Sequence, residues 1–244
     1  MSRTLTLAYG VASYFAFLGA FLYAVGFVGN VIVSKSIDSG PEGSLLTAIN
    51  VDTFLLLLFA VPHSVMARPS FKRWWTRFVP PQVERSTFVL VSSLTLGLLF
   101  WQWRPIPSVV WHIASPTGRW LVHTIFWIGW AVVLVSTFLI NHFDLFGLRQ
   151  VYLYASGRPY TPIGFRVLGF YRYVRHPIML GFLLAFWASP TMTLGHLLFA
   201  VATTAYILIA LQLEERDLVG VYGEQYRAYR KQVSMLFPLP RLPK

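Results

Sequence analysis

No residue between Arg3 and Lys35 carries a charge. As a helix, that stretch outreaches a bilayer's hydrocarbon core, which is about 30 Å thick and crossed by about 20 residues. Its far end, near Gly26, Gly29 and Asn30, is expected to bend or leave the bilayer. Further apolar runs cover 44–67, with Asp52 as its one charge, then 86–103 and 120–141. A last run, 177–213, is interrupted at Ser189-Pro190 and reads as a helical hairpin with a short first arm. Only 12% of the 244 residues are charged, about half the share of a soluble domain. The predicted fold is an all-α integral membrane protein, a bundle of five to six transmembrane helices with a C-terminal helical hairpin. The first run is too long, and too little charge precedes it, for a cleaved signal peptide. The absence of cysteine excludes disulfides, thiolate metal sites and a cysteine nucleophile.

The net charge of +11 would suggest nucleic acid in a soluble chain; here its distribution matters more, and no nucleic-acid partner is expected. All of the 20 lysines and arginines except Lys35, Arg104 and Arg119 fall on one side of the predicted spans. That asymmetry places both termini in the cytoplasm. Most of these cations need no role beyond topology. The loop 152–170, with its glycines and prolines, reads as ordered. In the tail, Tyr222, Tyr226, Tyr229 and Val233 form one stripe of a short helix whose other face holds Glu224, Arg227 and Lys231. Trp101, Trp103 and Trp111 read as an interfacial aromatic belt.

Ionisable groups near membrane segments are costly and need a reason. His63 ends the second span, and Asn141, His142 and Asp144 stand at the exit of the fourth. Arg175 and His176 open the hairpin, and Glu214 and Glu215 close it. A hairpin returns to its starting level, so the Arg-His and Glu-Glu pairs should meet there. Arginine grips a carboxylate, glutamate holds an ammonium or a ribose hydroxyl, and tyrosine faces favour a soft cation such as a sulfonium. That set suits S-adenosylmethionine, although Arg-Glu pairs at helix ends are often plain surface bridges. Scattered His142, Asp144, His63 and His176 make a poor metal site, and His123 and His196 a poor haem pair.

The order Arg175-His176-Pro177, Glu214-Glu215, Gly223-x-x-Tyr226-x-x-Tyr229 and Phe237-Pro238 resembles the C-terminal module of the isoprenylcysteine carboxyl methyltransferase and phospholipid methyltransferase superfamily. The stretches FLYAVGFVGN, HSVMARPSFKRWWTRFVPP, FWQWRPIP and NHFDLFGLRQVYLY resemble the bacterial methanethiol S-methyltransferases over nearly the whole length. Ile178-Met179 stands where the superfamily often has a nearby tyrosine, and no arginine immediately precedes Glu214; both departures count against a prenylcysteine acceptor.

The resemblance implies methyl transfer from S-adenosylmethionine to methanethiol, with no metal required. A four-helix transmembrane region, 1–141, would precede an S-adenosylmethionine-binding catalytic module, 142–244. Arg175, His176, Glu214 and Glu215 are expected to hold the cofactor, with Tyr173 and Tyr226 or Tyr229 at its adenosine or sulfonium. The tyrosines could equally be interfacial packing, and either glutamate could bridge Arg216 or Arg227 instead. His142, its ring oriented by Asp144, is the expected base for the thiol, with His63 in reserve. The alternative for His142 is a helix-end histidine satisfying carbonyls. The expected partners are a small thiol and membrane lipid, and the expected location is the bacterial inner membrane. Competing readings are a lipid amine or prenylcysteine-type carboxyl methyltransferase, or a non-catalytic membrane protein retaining the module.

Overall fold

The structure, a computed structural model, describes residues 1–238; Arg241 and Lys244 of the cationic tail lie outside the described residues. In chain order the elements are α1 (Arg3–Gly29), α2 (Leu45–Ala67), α3 (Pro69–Trp75), α4 (Pro81–Gln102), β1 (Val109–His112), α5 (Pro116–Ile140), α6 (His142–Leu145), α7 (Leu148–Ala155), a 3₁₀ turn (Gly169–Arg172), α8 (Pro177–Trp187), β2 (Thr191–Thr193), α9 (Leu194–Tyr222) and α10 (Glu224–Gln232). Among the described residues five helices, α1, α2, α4, α5 and α9, are long and apolar enough to cross a membrane. Their exposed side chains include Leu22, Phe54, Leu94, Trp120 and Ile209. Thr6, Ser13, Ser93 and Ser136 are buried instead. This distribution suits lipid as the solvent, where small polar residues pack inside. Ser13 and Ser93 donate back to the carbonyls of Tyr9 and Val89, each at 2.8 Å, so neither hydroxyl is left unmatched.

The helix boundaries follow local chemistry. Ser2, Ser44 and Ser115 cap α1, α2 and α5 by accepting from the backbone N–H three residues on. Prolines stand in the first turns of α3, α4, α5 and α8, where a missing N–H costs nothing. Asn30 stops α1 in the left-handed conformation, φ 54°.

The chain forms two compact units. One comprises 1–112, 142–162 and 191–199. In it α1 packs on α4 and α7, and α2 packs on α4. Phe27 meets Phe100, Trp103 and Phe199, with ring centroids 4.9–6.4 Å apart. Trp103 corrects the expected aromatic belt: it is fully buried, and its Nε1 donates to the Ile37 carbonyl at 3.1 Å. Trp101 does stay exposed. All-α is also too strong, because β1 and β2 pair antiparallel, Val109 with Thr193 and His112 with Thr191. The β-branched Val109, Val110, Thr191 and Thr193 favour extended backbone, and the break at Ser189-Pro190 frees the second strand to pair.

The other unit comprises 113–141, 163–190 and the chain from Ala200 on. Here α5 and α8 cross on glycine. A Cβ at Gly181 would lie 2.6 Å from the Gly129 carbonyl, and one at Gly129 would lie 2.7 Å from the Ala185 nitrogen. Such small-residue seams let membrane helices approach backbone to backbone. Helix α8 then runs antiparallel to α9. Leu180 and Leu183 pack with Ile207 and Leu211, and the Trp187 Nε1 donates to Thr204 Oγ1 at 2.9 Å. Helix α8 is about 16 Å long and α9 about 43 Å. The short arm equals about half of a hydrocarbon core about 30 Å thick, whereas α9 is longer than that core. Gly223, at φ 56°, breaks α9 from α10 in a conformation that side chains resist. Helix α10 folds back and buries Tyr226, Tyr229 and Val233 against Phe165, Val167, Leu218 and Tyr222.

Candidate functional site

The mouth of the hairpin collects its charges around Glu215. Antiparallel packing of α8 on α9 brings residues 175–176 level with 214–215. Arg175 Nε donates to Glu215 Oε1 at 2.6 Å, and His176 Nε2 lies 3.2 Å from the same oxygen. Arg230 of α10 approaches the other oxygen, with Nε 3.1 Å from Oε2. Glu215 and Arg175 are buried, at 5% and 7% side-chain exposure. Arg175 Nη1 also donates to the carbonyls of Val233 and Arg230. Backbone bonds from Arg175 to Ser234 and from His176 to Met235 stitch the segment after α10 to the entrance of α8. Both oxygens of Glu215 are therefore engaged by cations.

Glu214 differs. Its side chain is 45% exposed, and its Oε2 lies 3.7 Å from His176 Nδ1. The imidazole thus stands between two carboxylates, one enclosed and one open to a ligand. The arrangement offers a half-exposed carboxylate backed by an ordered guanidinium and imidazole.

The tyrosines separate into two kinds. Tyr173 is 68% exposed. Tyr226 and Tyr229 are buried. Tyr229 donates to the Tyr171 carbonyl at 2.6 Å. The Tyr226 hydroxyl is enclosed and has no hydrogen-bond partner among the described residues. Burial pushes the Tyr229 phenol up to about 12 and raises Tyr226 further, with the charge of Glu215 adding to the rise at both. Both remain neutral donors at physiological pH. An unmatched, buried donor beside a carboxylate pair suits a polar ligand such as a ribose or an amino-acid group. A cavity of about 390 Å³ opens at the edge of the same cluster, lined by Phe165, Val167, Arg172, Gln225 and Tyr229. Its lining does not include Glu214 or Glu215.

His142 and Asp144 belong to the unit that contains α1. The His142 ring is buried, at 5% exposure. Tyr14, Phe17, Phe143 and Phe146 surround it, with centroids 4.9–6.3 Å away. The Tyr14 hydroxyl lies 2.9 Å from His142 Nε2. Burial lowers the imidazole pKa below its ordinary value and favours the neutral ring that a general base needs. The group on the His142 Nε2 is thus a tyrosine. The Asp144 carboxylate accepts from Arg149 at 2.9 Å and from Tyr160 at 3.4 Å. Arg149 also donates to Thr161, tying α7 to the loop that follows it. His63 Nδ1 is 3.0 Å from Ser92 Oγ on α4, a contact between helices.

Two residues here escaped sequence reasoning. Arg230 stands one position off the face expected to be charged, and its partner is fifteen residues back across the α9–α10 break. Tyr14 did have a signal, since a phenol inside an uncharged run needs a partner as His63 does.

A family model described as NnrU protein matches residues 53–231. The methanethiol S-methyltransferase of Mycobacterium tuberculosis is 60% identical over 240 residues, covering 98% of this chain and 98% of its own. That of Crocosphaera subtropica is 56% identical over 238 residues, covering 98% of this chain and 93% of its own. Nurim of Sus scrofa is 32% identical over 185 residues, covering 72% of this chain and 70% of its own. No solved structure matches the chain. Similarity of this degree from end to end, with a family model over most of the length, means that the chain belongs to the methanethiol S-methyltransferase family and carries an NnrU-type domain.

Proposed function

We propose that the protein transfers a methyl group from S-adenosylmethionine to methanethiol and so forms dimethyl sulfide. The observation that carries the reading is the hairpin mouth. Glu215 is saturated by Arg175, His176 and Arg230, while Glu214 remains half-exposed beside His176. In this proposal Glu214 holds the ammonium or ribose of the donor, and Arg175 and His176 are set in place by Glu215. The enclosed Tyr226 hydroxyl donates to the same ligand, Tyr229 braces the wall, and the exposed Tyr173 closes over the adenosine.

The transfer is an in-line displacement. A thiolate sulfur forms a bond to the methyl carbon as the carbon–sulfonium bond breaks, and S-adenosylhomocysteine leaves neutral at sulfur. Alignment and exclusion of water supply most of the acceleration. The thiol must first lose its proton. We assign that step to His142, with Tyr14 fixing its ring and Asp144 holding the α6–α7 turn through Arg149. The acceptor and the product are small and apolar and can pass through the bilayer, whereas the donor arrives from the cytoplasm. The catalytic module is taken as 142–244, the four-helix region as 1–141, and the location as the bacterial inner membrane with both termini cytoplasmic.

The test is headspace gas chromatography of purified protein given methanethiol and S-adenosylmethionine. Dimethyl sulfide is expected. Folded protein that binds S-adenosylhomocysteine yet releases none would overturn the acceptor assignment and leave the donor assignment standing.

A further inference from the structure

The connection between α2 and α4 carries more charge than a turn requires. Residues 68–85 hold Arg68, Lys72, Arg73, Arg77 and Arg85 against a single acid, Glu84. Because it joins two helices that cross the membrane, the connection lies at a membrane surface. Arg73 and Arg77 stand one turn apart and exposed, and neither guanidinium has an ion pair or hydrogen bond among the described residues. Trp74 and Phe78, also one turn apart, are 48% and 69% exposed, with rings 5.6 Å apart. Cations and open aromatic rings thus occupy neighbouring strips of one short segment. On the inner side, Lys72 and Trp75 lie one turn apart, and the Trp75 Nε1 is buried with no acceptor among the described residues. Lys72 itself is partly desolvated, and burial followed by the nearby Arg85 lowers its pKa, with only Glu84 opposing. The C-terminal carbonyls of α3 account for a preference for basic residues there. They do not account for a buried, unmatched donor one turn from Lys72.

We propose that this connection is a binding site for an anionic phospholipid, with the phosphate held by Lys72, Arg73 and Arg77 and the glycerol and acyl region against Trp74 and Phe78. A phosphate would relieve the mutual repulsion of the cations and offer acceptors to their donors. The exposed rings select a lipid over a free anion, because they extend the site into the interfacial layer where indole and phenyl groups sit best. The site lies outside the donor cluster and stands whether or not the proposed reaction is right.

The experiment is native mass spectrometry of the full chain released from detergent micelles containing phosphatidylglycerol and phosphatidylcholine. Wild type is expected to retain phosphatidylglycerol preferentially. The Arg73→Gln/Arg77→Gln double variant, altered only at exposed positions, is expected to lose about thirtyfold of that retention; Arg227→Gln, an exposed cation of α10, is expected to lose none. Lys72→Gln serves as a second variant, with its thermal unfolding monitored alongside. Equal retention of the two lipids, an unchanged double variant, or displacement of phosphatidylglycerol by millimolar inorganic phosphate would each overturn the proposal.

Discussion

Glu214 and Glu215 are neighbours in the chain with opposite surroundings, and their substitutions should separate cleanly. Glu215→Ala leaves the buried Arg175 without its counter-charge. Breaking such a pair costs about 3–5 kcal/mol, so a large fall in the thermal midpoint in detergent is expected. Glu214→Ala removes a half-exposed group and should leave the midpoint nearly unchanged. Calorimetry with S-adenosylhomocysteine should then show binding weakened by at least about tenfold, the loss of one hydrogen bond to a charged group. His142→Gln should spare that binding and slow turnover by about 10²–10⁴-fold. The pH dependence has a definite sign. A base acts when neutral, and burial holds the His142 pKa below 6.5. The rate should therefore rise with pH through a limb lying below 6.5 and be level at neutrality; a limb above 7 would rule His142 out. Stability follows the same direction: below pH 6.5 the unfolded chain takes up the proton more readily, so folding weakens as the pH falls. The chemistry of these side chains was readable from their order. Their partners were not, because Arg230 and Tyr14 reach them through folds of the chain that no local pattern marks.

Helix α8 is an interrupted apolar run in the sequence and a closely packed half-length helix in the structure. Its position on α5 depends on Gly129 and Gly181, whose added Cβ atoms would meet backbone rather than yielding side chains. Gly181→Val should force the helices apart, at a cost above the usual 1–3 kcal/mol of overpacking. The check is a lower yield of monodisperse protein together with lost S-adenosylhomocysteine binding, since the entrance of α8 carries Arg175 and His176. The length of the apolar runs could place the long helices because a bilayer demands length and apolarity from each one separately. The β1–β2 ribbon escaped the same reading. Its strands are three and four residues long and 79 positions apart where His112 meets Thr191, and a pairing of that separation leaves no local period. The tail stripe was visible, but Tyr222 ends α9 whereas Tyr226 and Tyr229 lie on α10. The glycine between them turns one expected helix into two.

Five spanning helices alone would leave the two termini on opposite faces. The proposed orientation, with both termini cytoplasmic, requires the hairpin to restore the parity, α8 entering the bilayer and α9 leaving it on the same face; within the hairpin α9 does bring Glu215 back to Arg175. Green fluorescent protein fused at either end is therefore expected to fluoresce in bacterial cells, and alkaline phosphatase inserted between β1 and α5 is expected to be active. Phosphatase activity at the C-terminus would overturn the orientation. Membrane residence, the number of long helices and the charge asymmetry were decided by composition along the chain, because the cost of burying charge in hydrocarbon acts on every segment independently. Which carboxylate is enclosed and which is open, and which tyrosine is satisfied, depended on the antiparallel return of α9 and the fold-back of α10. Those contacts join residues far apart in sequence, and burial and pairing energies exist only once the chain has brought them together.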